Sequence, residues 1–251
     1  MLLYNHIHAH KRNILFAGPT GCGKTEIWRV MSRLYPNIRI IDSTMLTMQG
    51  WSGSFKVRDI FSSMSQEEAE KAIIVFDEFD KFCEPLYGSN GTNYGAAAQN
   101  ELLKLIEGGQ IYFPADKGKP ALELDSSGIS FVFCGSFERL TDVKTESESS
   151  MGFGNKIQKK DAYVQYEKEI TVEDLVRYAG IRQEIGGRIN QIVQLQGMTA
   201  EDYKKILQDK TISPLHQLER QYGVKLRLGE KEREKLAQEA ERTKMGVRYL
   251  R

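Results

Sequence analysis

The chain contains 251 residues, enough for one large domain or for a medium domain and a small one. Lys and Arg total 35 and Asp and Glu total 34, so the net charge of +1 argues against bulk binding to nucleic acid or to a membrane surface. The three cysteines are far apart and form no C-x-x-C motif, and no apolar run is long enough to cross a bilayer. These features argue against a disulfide scaffold, a structural zinc site and a membrane-spanning helix, and we expect a cytoplasmic protein.

Short apolar runs alternate with helical patterns from the N-terminus onwards. Residues 25–34 and 100–106 carry apolar side chains three or four positions apart, which predicts helices. Strands alternating with helices are typical of an α/β protein with a parallel sheet. The runs with the apolar character of buried strands lie at residues 13–17, 38–41, 72–76 and 129–133.

The pattern becomes mostly helical towards the C-terminus. Residues 172–178 and 200–222 predict helices, and a charged amphipathic helix is expected from Glu230 until Gly246 interrupts it. Residues 224–228 alternate between apolar and basic side chains, which predicts a small strand.

The change of pattern also predicts a domain boundary. Gly197 interrupts the sequence between the last apolar segment of the α/β part and the helical part. We therefore expect a large nucleotide-binding domain at residues 1–196 and a small, mostly helical domain at residues 197–251.

The segment from Gly18 to Thr25, GPTGCGKT, matches the phosphate-loop pattern G-x-x-x-x-G-K-[ST] between a predicted strand and a predicted helix. Glycines let successive backbone N–H groups face an anion, and the N-terminus of the following helix favours negative charge. Lys24 would contact the terminal phosphates and the Thr25 hydroxyl would ligate Mg²⁺. A glycine-rich turn with a coincidental lysine is the alternative. The expected nucleotide-binding residues are Thr20, Gly21, Cys22, Gly23, Lys24 and Thr25.

Two acidic residues, Asp77 and Glu78, follow the apolar run at 72–76. Ligands of parallel sheets bind at the carboxyl ends of the strands, so these side chains are expected beside the phosphate loop. Asp77 would hold Mg²⁺ through water, and Glu78 would orient and deprotonate the water that attacks the terminal phosphate. A solvated acidic turn is the alternative interpretation.

Several segments together resemble the AAA+ ATPases and, within them, the ClpX family of protein unfoldases. They are GPTGCGKTE, IIVFDEFDK, NELLKLIEG, FVFCGSF, GIRQEIGGR and MGVRYLR, which follow one another in the family's order over nearly the whole chain. The resemblance to the sibling HslU family is weaker, because the short spacing between the acidic pair and the fourth strand leaves no room for that family's inserted domain. The resemblance implies a P-loop α/β fold with a small helical lid, and hydrolysis of ATP with Mg²⁺.

The resemblance also implies roles for two arginines. Arg188 would stabilise charge on the γ-phosphate held by a neighbouring subunit, and Arg248 would contact the phosphates within its own subunit. Plain surface arginines are the alternative for both positions.

Two loops resemble the family's contacts with proteins. Gly50-Trp51-Ser52-Gly53 resembles the pore loop, which grips a polypeptide with an aromatic side chain between glycines. Met151-Gly152-Phe153 resembles the tripeptide that docks onto the ClpP peptidase, and it interrupts a polar segment. A hydrophobic anchor and a loop folded back on its own core are the respective alternatives.

The sequence also departs from the family. The family's N-terminal zinc-binding domain is expected to be absent, and the small domain is expected to be truncated after the last motif. Lys117 and Lys119 are a weak substitute for the basic loop at the pore mouth, and Ser136 or a neighbour occupies the position of the first sensor, which stays unassigned.

The resemblance implies a homo-hexamer that unfolds tagged or unfolded proteins and feeds them to a ClpP-type peptidase, without nucleic-acid or membrane partners. The alternative is a truncated nucleotide-binding scaffold or fragment that does not form a productive ring. A DNA-associated AAA+ protein is a weaker alternative, because the net charge is near zero and no DNA-binding module is added.

Overall fold

The computed structural model describes residues 2–47, 55–87, 91, 93–115, 118–138, 140, 169–243 and 245–250. The chain divides into two compact units. The first comprises the described residues of Met1–Ala17, Lys24–Met151 and Tyr166–Gln194. The second comprises those of Gly18–Gly23, Gly152–Gln165 and Leu195–Arg251.

A five-stranded parallel sheet in the order β2-β5-β8-β1-β9 forms the centre of the described part of the first unit. The short strands β3 and β4 pair with each other, and β6 and β7 form an antiparallel hairpin. The strands are β1 (Asn13–Ala17), β2 (Ile38–Asp42), β3 (Leu46–Thr47), β4 (Phe55–Lys56), β5 (Ile73–Asp77), β6 (Gln110–Phe113), β7 (Leu122–Asp125), β8 (Ser130–Gly135) and β9 (Gln191–Gln194).

Helices connect the strands of the first unit and form most of the second. They are α1 (Leu2–Ala9), α2 (Lys24–Leu34), α3 (Gln66–Glu70), α4 (Phe79–Phe82), α5 (Tyr94–Glu107), α6 (Val172–Tyr178), α7 (Gln183–Gly186), α8 (Ala200–Gln208), α9 (Pro214–Tyr222) and α10 (Glu230–Thr243). Short 3₁₀ turns lie at Ser43–Met45, Val57–Phe61, Ser126–Gly128 and Gly246–Leu250. No helix within the described ranges combines the length and the apolar character that a membrane span requires.

The core of the first unit is built on strands that are buried along almost their whole length. In β5 the residues before Asp77 are buried, and every residue of β8 is buried, as expected for parallel strands covered on both faces. The ring of Phe76 lies 6.1 Å from that of Phe131 and 5.9 Å from that of Phe133. This aromatic packing holds β5 against β8 directly before Asp77, the last residue of β5.

The α/β fold predicted from the sequence is confirmed, and the predicted strands at 13–17, 38–41, 72–76 and 129–133 are β1, β2, β5 and β8 within a residue or two. The helix predicted at 100–106 begins earlier, at Tyr94. Asn93 caps it, since the side-chain oxygen of Asn93 accepts the N–H of Ala96 at 3.2 Å.

Residues 200–222 are mostly helical, as predicted, but they form two separate helices, α8 and α9, and not one continuous helix. Pro214 has no N–H and occupies the first turn of α9, where none is needed. The N–H groups of Thr211 and Ile212 bind the Asp209 carboxylate, at 2.7 and 3.0 Å, instead of continuing the helix.

The strand predicted at 224–228 is also wrong. These residues have no strand partner in the described structure, and Val224 and Leu226 are exposed. The N–H of Leu226 instead donates to the Glu219 carboxylate at 2.8 Å, so a side chain replaces the sheet ladder. The sequence prediction also missed β9, whose two apolar residues lie between glutamines and give little signal.

The second unit has a small core where α8 meets α10. Tyr203 from α8 and Ala237 and Ala240 from α10 are buried there. Lys204 and Glu234 also join the two helices, with Nζ and Oε2 2.6 Å apart. Side chains that complete this core include Met198, Val247, Tyr249 and Leu250.

Candidate nucleotide-binding site

The phosphate-loop segment has the backbone geometry that its glycines allow. Gly21 and Gly23 adopt φ values of 79° and 97°, which side-chain-bearing residues rarely adopt. The N–H of Cys22 donates to the carbonyl of Pro19 at 3.3 Å and closes a turn. A methyl group on Gly18 would lie 2.9 Å from the Cys22 sulfur, so this position also needs glycine.

Helix α2 begins at Lys24, directly after this segment. Its first N–H groups have no partner within the helix, and Lys24 and Thr25 therefore stand where a helix favours an anion. Trp28 and Met31 are the buried residues of α2 and fix it to the first unit. The lysine and the threonine of the motif therefore lie on a helix that Trp28 and Met31 pack against the first unit.

Thr25 and Asp77 lie together, as the sequence analysis expected. The Thr25 hydroxyl donates to Oδ2 of Asp77 at 2.7 Å, although the two residues are 52 positions apart in the chain. Asp77 ends β5, and its Oδ1 accepts the N–H of Glu78 at 3.1 Å. A hydroxyl beside a carboxylate is a donor set of oxygen atoms, which Mg²⁺ prefers, so these residues fit the expected metal.

Glu78 adopts an unusual backbone conformation immediately after β5. Its φ of 54° and ψ of 34° lie in the left-handed region, which is uncommon for residues other than glycine and often marks functional sites. The next residue, Phe79, is fully buried, with its ring 4.5 Å from that of Phe133. The tight turn therefore buries Phe79 while the Glu78 side chain stays 40% exposed.

Lys81 holds the Glu78 carboxylate on the surface of this turn. Its Nζ lies 2.8 Å from Oε2 of Glu78, and the hydrogen bond to Glu78 is the largest cause that raises the pKa of Lys81. The pair therefore places a positive charge beside the Glu78 carboxylate in an exposed turn.

Asp80 connects the end of β5 to the end of β8, a link that the sequence analysis missed. Its Oδ2 accepts hydrogen bonds from the Ser136 hydroxyl at 2.8 Å and from the N–H of Phe137 at 3.2 Å. Phe137 also has a positive φ, of 49°, and is buried. A methyl group on Gly135 would lie 2.7 Å from Oδ1 of Asp80, so glycine is required for this approach. The sequence feature that could have indicated this link is Gly135, the glycine at the end of β8.

The structure places Arg188 after α7, on the first unit. Its guanidinium pairs with Oε1 of Glu107 at 2.6 Å and donates to the carbonyl of Glu184 at 2.6 Å. The side chain is 37% exposed. Arg188 therefore does not join the Thr25–Asp77 pair within the described chain, and its expected role toward a neighbouring subunit stays a prediction.

Arg248 lies in the 3₁₀ turn Gly246–Leu250, and its side chain lies outside the described part of the structure. The start of this turn meets the phosphate-loop segment through two glycines. A methyl group on Gly246 would lie 2.3 Å from the Cα of Gly21, and one on Gly21 would lie 2.4 Å from the Cα of Gly246. The two backbones touch at this point because neither residue has a side chain.

The two predicted protein-binding loops lie outside the described residues. They are Gly50, Trp51 and Gly53 in the expected pore loop, and Met151, Gly152 and Phe153 in the expected peptidase-docking loop. Lys117 is likewise outside, whereas Lys119 is described and binds the buried carboxylate of Asp59 at 2.6 Å.

A family model described as "ATPase family associated with various cellular activities (AAA)" matches residues 14–142. This stretch covers just over half of the chain and contains the phosphate loop, Asp77, Glu78 and Asp80. The chain belongs to the AAA family of ATPases.

The chain is also similar to a curated relative, the ATP-dependent Clp protease ATP-binding subunit ClpX of Treponema denticola. The two are 30% identical over 245 residues, a match that covers 90% of this chain and 57% of the relative. The resemblance to the ClpX family that the sequence motifs indicate is thereby confirmed. The chain spans little more than half the length of that relative.

Proposed function

We propose that this chain is the ATP-hydrolysing subunit of a ClpX-like unfoldase, which couples turnover of ATP to the pulling of polypeptides. The observation that carries the proposal is the contact between Thr25 and Asp77, at the end of a buried parallel strand and directly after a phosphate-loop motif. A phosphate-binding backbone, a lysine and this oxygen pair are the parts that phosphoryl-transfer enzymes of the P-loop type use.

In this proposal the chain's own groups bind and orient the nucleotide. The backbone N–H groups of Thr20, Gly21, Cys22 and Gly23 and the ammonium of Lys24 bind the phosphates. Thr25 and, through water, Asp77 hold Mg²⁺, which when bound neutralises charge on the phosphate oxygens.

Glu78 acts as the general base. Its carboxylate accepts a proton from the water that attacks the γ-phosphorus, and the P–O bond to the leaving ADP breaks. The burial of Phe79 anchors the turn that carries Glu78, and Lys81 pairs with its carboxylate at 2.8 Å. Positioning of this kind supports the role, since catalysis of phosphoryl transfer depends mainly on orientation and electrostatics.

The remaining residues act between subunits and on partners. In a homo-hexamer Arg188 reaches the nucleotide of the adjacent subunit, and Arg248 contacts the phosphates of its own. Trp51, between Gly50 and Gly53, grips the polypeptide, and Met151, Gly152 and Phe153 dock onto a ClpP-type peptidase. A large domain at 1–196 and a lid at 197–251 move with the state of the nucleotide. The similarity to an ATP-binding subunit of a protease supports this assignment.

One pair of measurements tests the proposal: the molecular mass in solution with and without ATP, and the release of phosphate. A motor subunit assembles into a hexamer and releases phosphate, whereas a nucleotide-binding scaffold binds ATP without doing either.

Lys24→Ala should lose nucleotide affinity, while Lys71→Ala, which breaks only the surface pair with Glu67, should not. Unchanged affinity in Lys24→Ala would count against the phosphate-loop assignment.

Two further variants separate the partner contacts from hydrolysis. Trp51→Ala should keep ATP turnover but stop ATP-driven unfolding of a tagged protein. Phe153→Ala should keep turnover but lose co-migration with a ClpP-type peptidase on sizing. Full unfolding by the first variant, or unaltered co-migration of the second, would remove the corresponding loop from the proposal.

A further inference from the structure

A carboxylate outside the nucleotide-binding site contacts Arg188, the arginine that the proposed function directs at the neighbouring subunit. Nη2 of Arg188 lies 2.6 Å from Oε1 of Glu107, the last residue of α5, although the two residues are 81 positions apart in the chain. Nη1 of Arg188 donates to the carbonyl of Glu184 in α7, also at 2.6 Å. Both terminal nitrogens of the guanidinium are therefore bonded, each to a different element.

The backbone around Arg188 is bonded to the central sheet. Asn13, the first residue of β1, is only 5% exposed, and its Nδ2 donates to the carbonyl of Arg188 at 2.9 Å. The N–H of Asn13 donates to Oδ1 of Asn190 at 2.8 Å, and the carbonyl of Asn13 accepts the N–H of Asn190 at 2.8 Å. The backbone is thus held in place, and the side chain of Arg188 is the part whose direction remains to be set.

Helix α5 holds the segment that leads to Arg188 at an earlier point as well. Gln99 of α5 is buried, and its Oε1 accepts the N–H of Arg182 at 2.9 Å while its Nε2 donates to the carbonyl of Gly180 at 3.0 Å. A buried amide that uses both of its ends in this way fixes the backbone against the helix. Gln99 and Glu107 therefore attach one helix to both ends of residues 180–188.

The position of Arg188 in the sheet separates it from Asp77 of its own chain. Asn13, which binds the Arg188 carbonyl, is level with Phe131 of β8 and through it with Ile74 of β5. Asp77 follows Ile74 by three residues, which is about 10 Å along the strand, and β8 lies between β1 and β5. The Arg188 side chain binds the end of α5 and not the carboxyl edge of the sheet. A phosphate that Arg188 contacts is therefore expected to belong to another chain.

An arginine that acts across a subunit boundary needs a defined direction. It stabilises charge on a phosphate only when its N–H donors point at the oxygens, and a long side chain that is not held loses rotamer freedom on reaching them. Glu107 and Arg188 are 45% and 37% exposed, and ion pairs at such positions add little to stability. Orientation of the guanidinium is the larger effect that this pair can supply.

We infer that Glu107 is a positioning residue for hydrolysis, which holds the Arg188 guanidinium in the direction in which it meets the nucleotide of the adjacent subunit. The inference rests on the proposed function, because it needs Arg188 to act on a neighbouring chain. It adds a residue from the end of α5 that touches neither the nucleotide nor the phosphate loop.

Steady-state phosphate release by the full chain tests the inference first. Glu107→Ala should lower kcat by about tenfold and leave KM for ATP nearly unchanged, because only part of the contribution of an arginine finger is lost. Glu107→Gln keeps an acceptor oxygen at the same reach and should retain most of the turnover. Glu173→Ala, which breaks an exposed ion pair with Arg177 in the same unit, is the matched control and should be near normal. Unchanged melting temperature and ring mass of Glu107→Ala would show that the chain folds and assembles.

Mixed rings separate an effect on Arg188 from damage to the variant's own nucleotide site. Glu78→Gln chains lack the general base but keep Arg188, so an excess of them should supply an intact arginine to each Glu107→Ala chain. Phosphate release per Glu107→Ala chain should then return to the rate of parent chains diluted in the same way. Arg188→Ala chains should recover likewise, and the double variant should be no slower than Arg188→Ala alone.

The outcomes distinguish the positioning role from the proposed function. Parental or faster turnover in Glu107→Ala, or a loss that dilution into Glu78→Gln chains does not restore, would overturn the positioning role and leave the proposed function standing. Parental turnover in Arg188→Ala, or no recovery of that variant in mixed rings, would refute the action of Arg188 on a neighbour and the positioning role with it. A parent chain that neither assembles nor releases phosphate would refute the proposed function itself.

Discussion

The two compact units differ in how they are held together. The first has an extended core of apolar side chains around β1, β5 and β8, and Asp77 stands at the end of β5. The second has a core of Tyr203, Ala237 and Ala240 with partly buried neighbours, and glycine contacts and an ion pair add to it. The first unit is therefore held by many buried contacts, whereas the packing of α8 on α10 in the second depends on a few side chains.

The largest effect should come from Glu78, on the rigid unit. Glu78→Gln keeps the shape of the side chain but cannot accept a proton, so phosphate release should fall by about 10²–10⁴-fold with ATP affinity retained. Glu67→Gln, at an exposed carboxylate of the same unit, is the matched control and should be near normal. Phosphate release at the parental rate in Glu78→Gln would show that another group is the base.

Stability should reveal the difference in the cores directly. Phe76→Ala removes a fully buried ring between Phe131 and Phe133 and should cost about 3–5 kcal/mol in the free energy of unfolding. Tyr203→Ala, in the thin core of the second unit, should cost about 1–3 kcal/mol, since fewer neighbours lose contact and the helices can close. Denaturant unfolding measures both, and equal losses would contradict the comparison.

The sequence was sufficient for the features whose signal is local. Strand β5 is predicted by a continuous apolar run, and the phosphate loop by fixed spacing. Strand β9 was missed because only Ile192 and Val193 are apolar, and the pairing with β1 that makes it a strand is a tertiary contact. Pro214 indicates a break between α8 and α9. The hydrogen bond from the Thr211 N–H to the Asp209 carboxylate, which turns the chain, forms only in the folded loop and has no signal in the sequence.

The same distinction between local and tertiary signals applies to the candidate site. Thr25 and Asp77 could be placed together from the rule that parallel strands end at one edge of a sheet. The link from Asp80 to Ser136 could not, because it depends on the register of β5 against β8 and on the missing side chain of Gly135. Spacing in a sequence identifies the candidate residues, whereas contacts across the sheet decide which of them lie together.

A smaller effect should come from the glycine contact in the second unit. Gly246 and Gly223 have nearly the same φ, of 65° and 66°, so alanine at either position meets the same backbone strain. The methyl group added at Gly246 would meet Gly21, whereas one added at Gly223 would meet no other described side chain or backbone within 4 Å. Gly246→Ala should therefore weaken nucleotide binding by about tenfold, or ~1.4 kcal/mol, and Gly223→Ala should not. Equal affinities of the two variants, measured by titration, would show that the contact is unimportant for binding.

The smallest effect should come from the ion pair between Lys204 and Glu234. Their hydrogen bond raises the pKa of Lys204 and lowers that of Glu234. The lowered pKa of the carboxyl group gives stability that is present above the carboxyl pKa of the unfolded chain and is lost as the pH falls through the folded pKa. The raised pKa of the ammonium group gives stability that is present below the ammonium pKa of the unfolded chain and is lost as the pH rises through the folded pKa.

Lys204→Met should therefore lower the urea midpoint slightly between about pH 5 and pH 10, and the difference from the parent should shrink outside that range and in high salt. Lys205→Met is the control, because Lys205 is exposed and lies 4.0 Å from Asp202 within its own helix, so it joins no second element. If both variants changed the midpoint equally at pH 7, the pair would contribute nothing specific to the packing of α8 on α10, and the apolar contacts of Tyr203 would carry that packing alone.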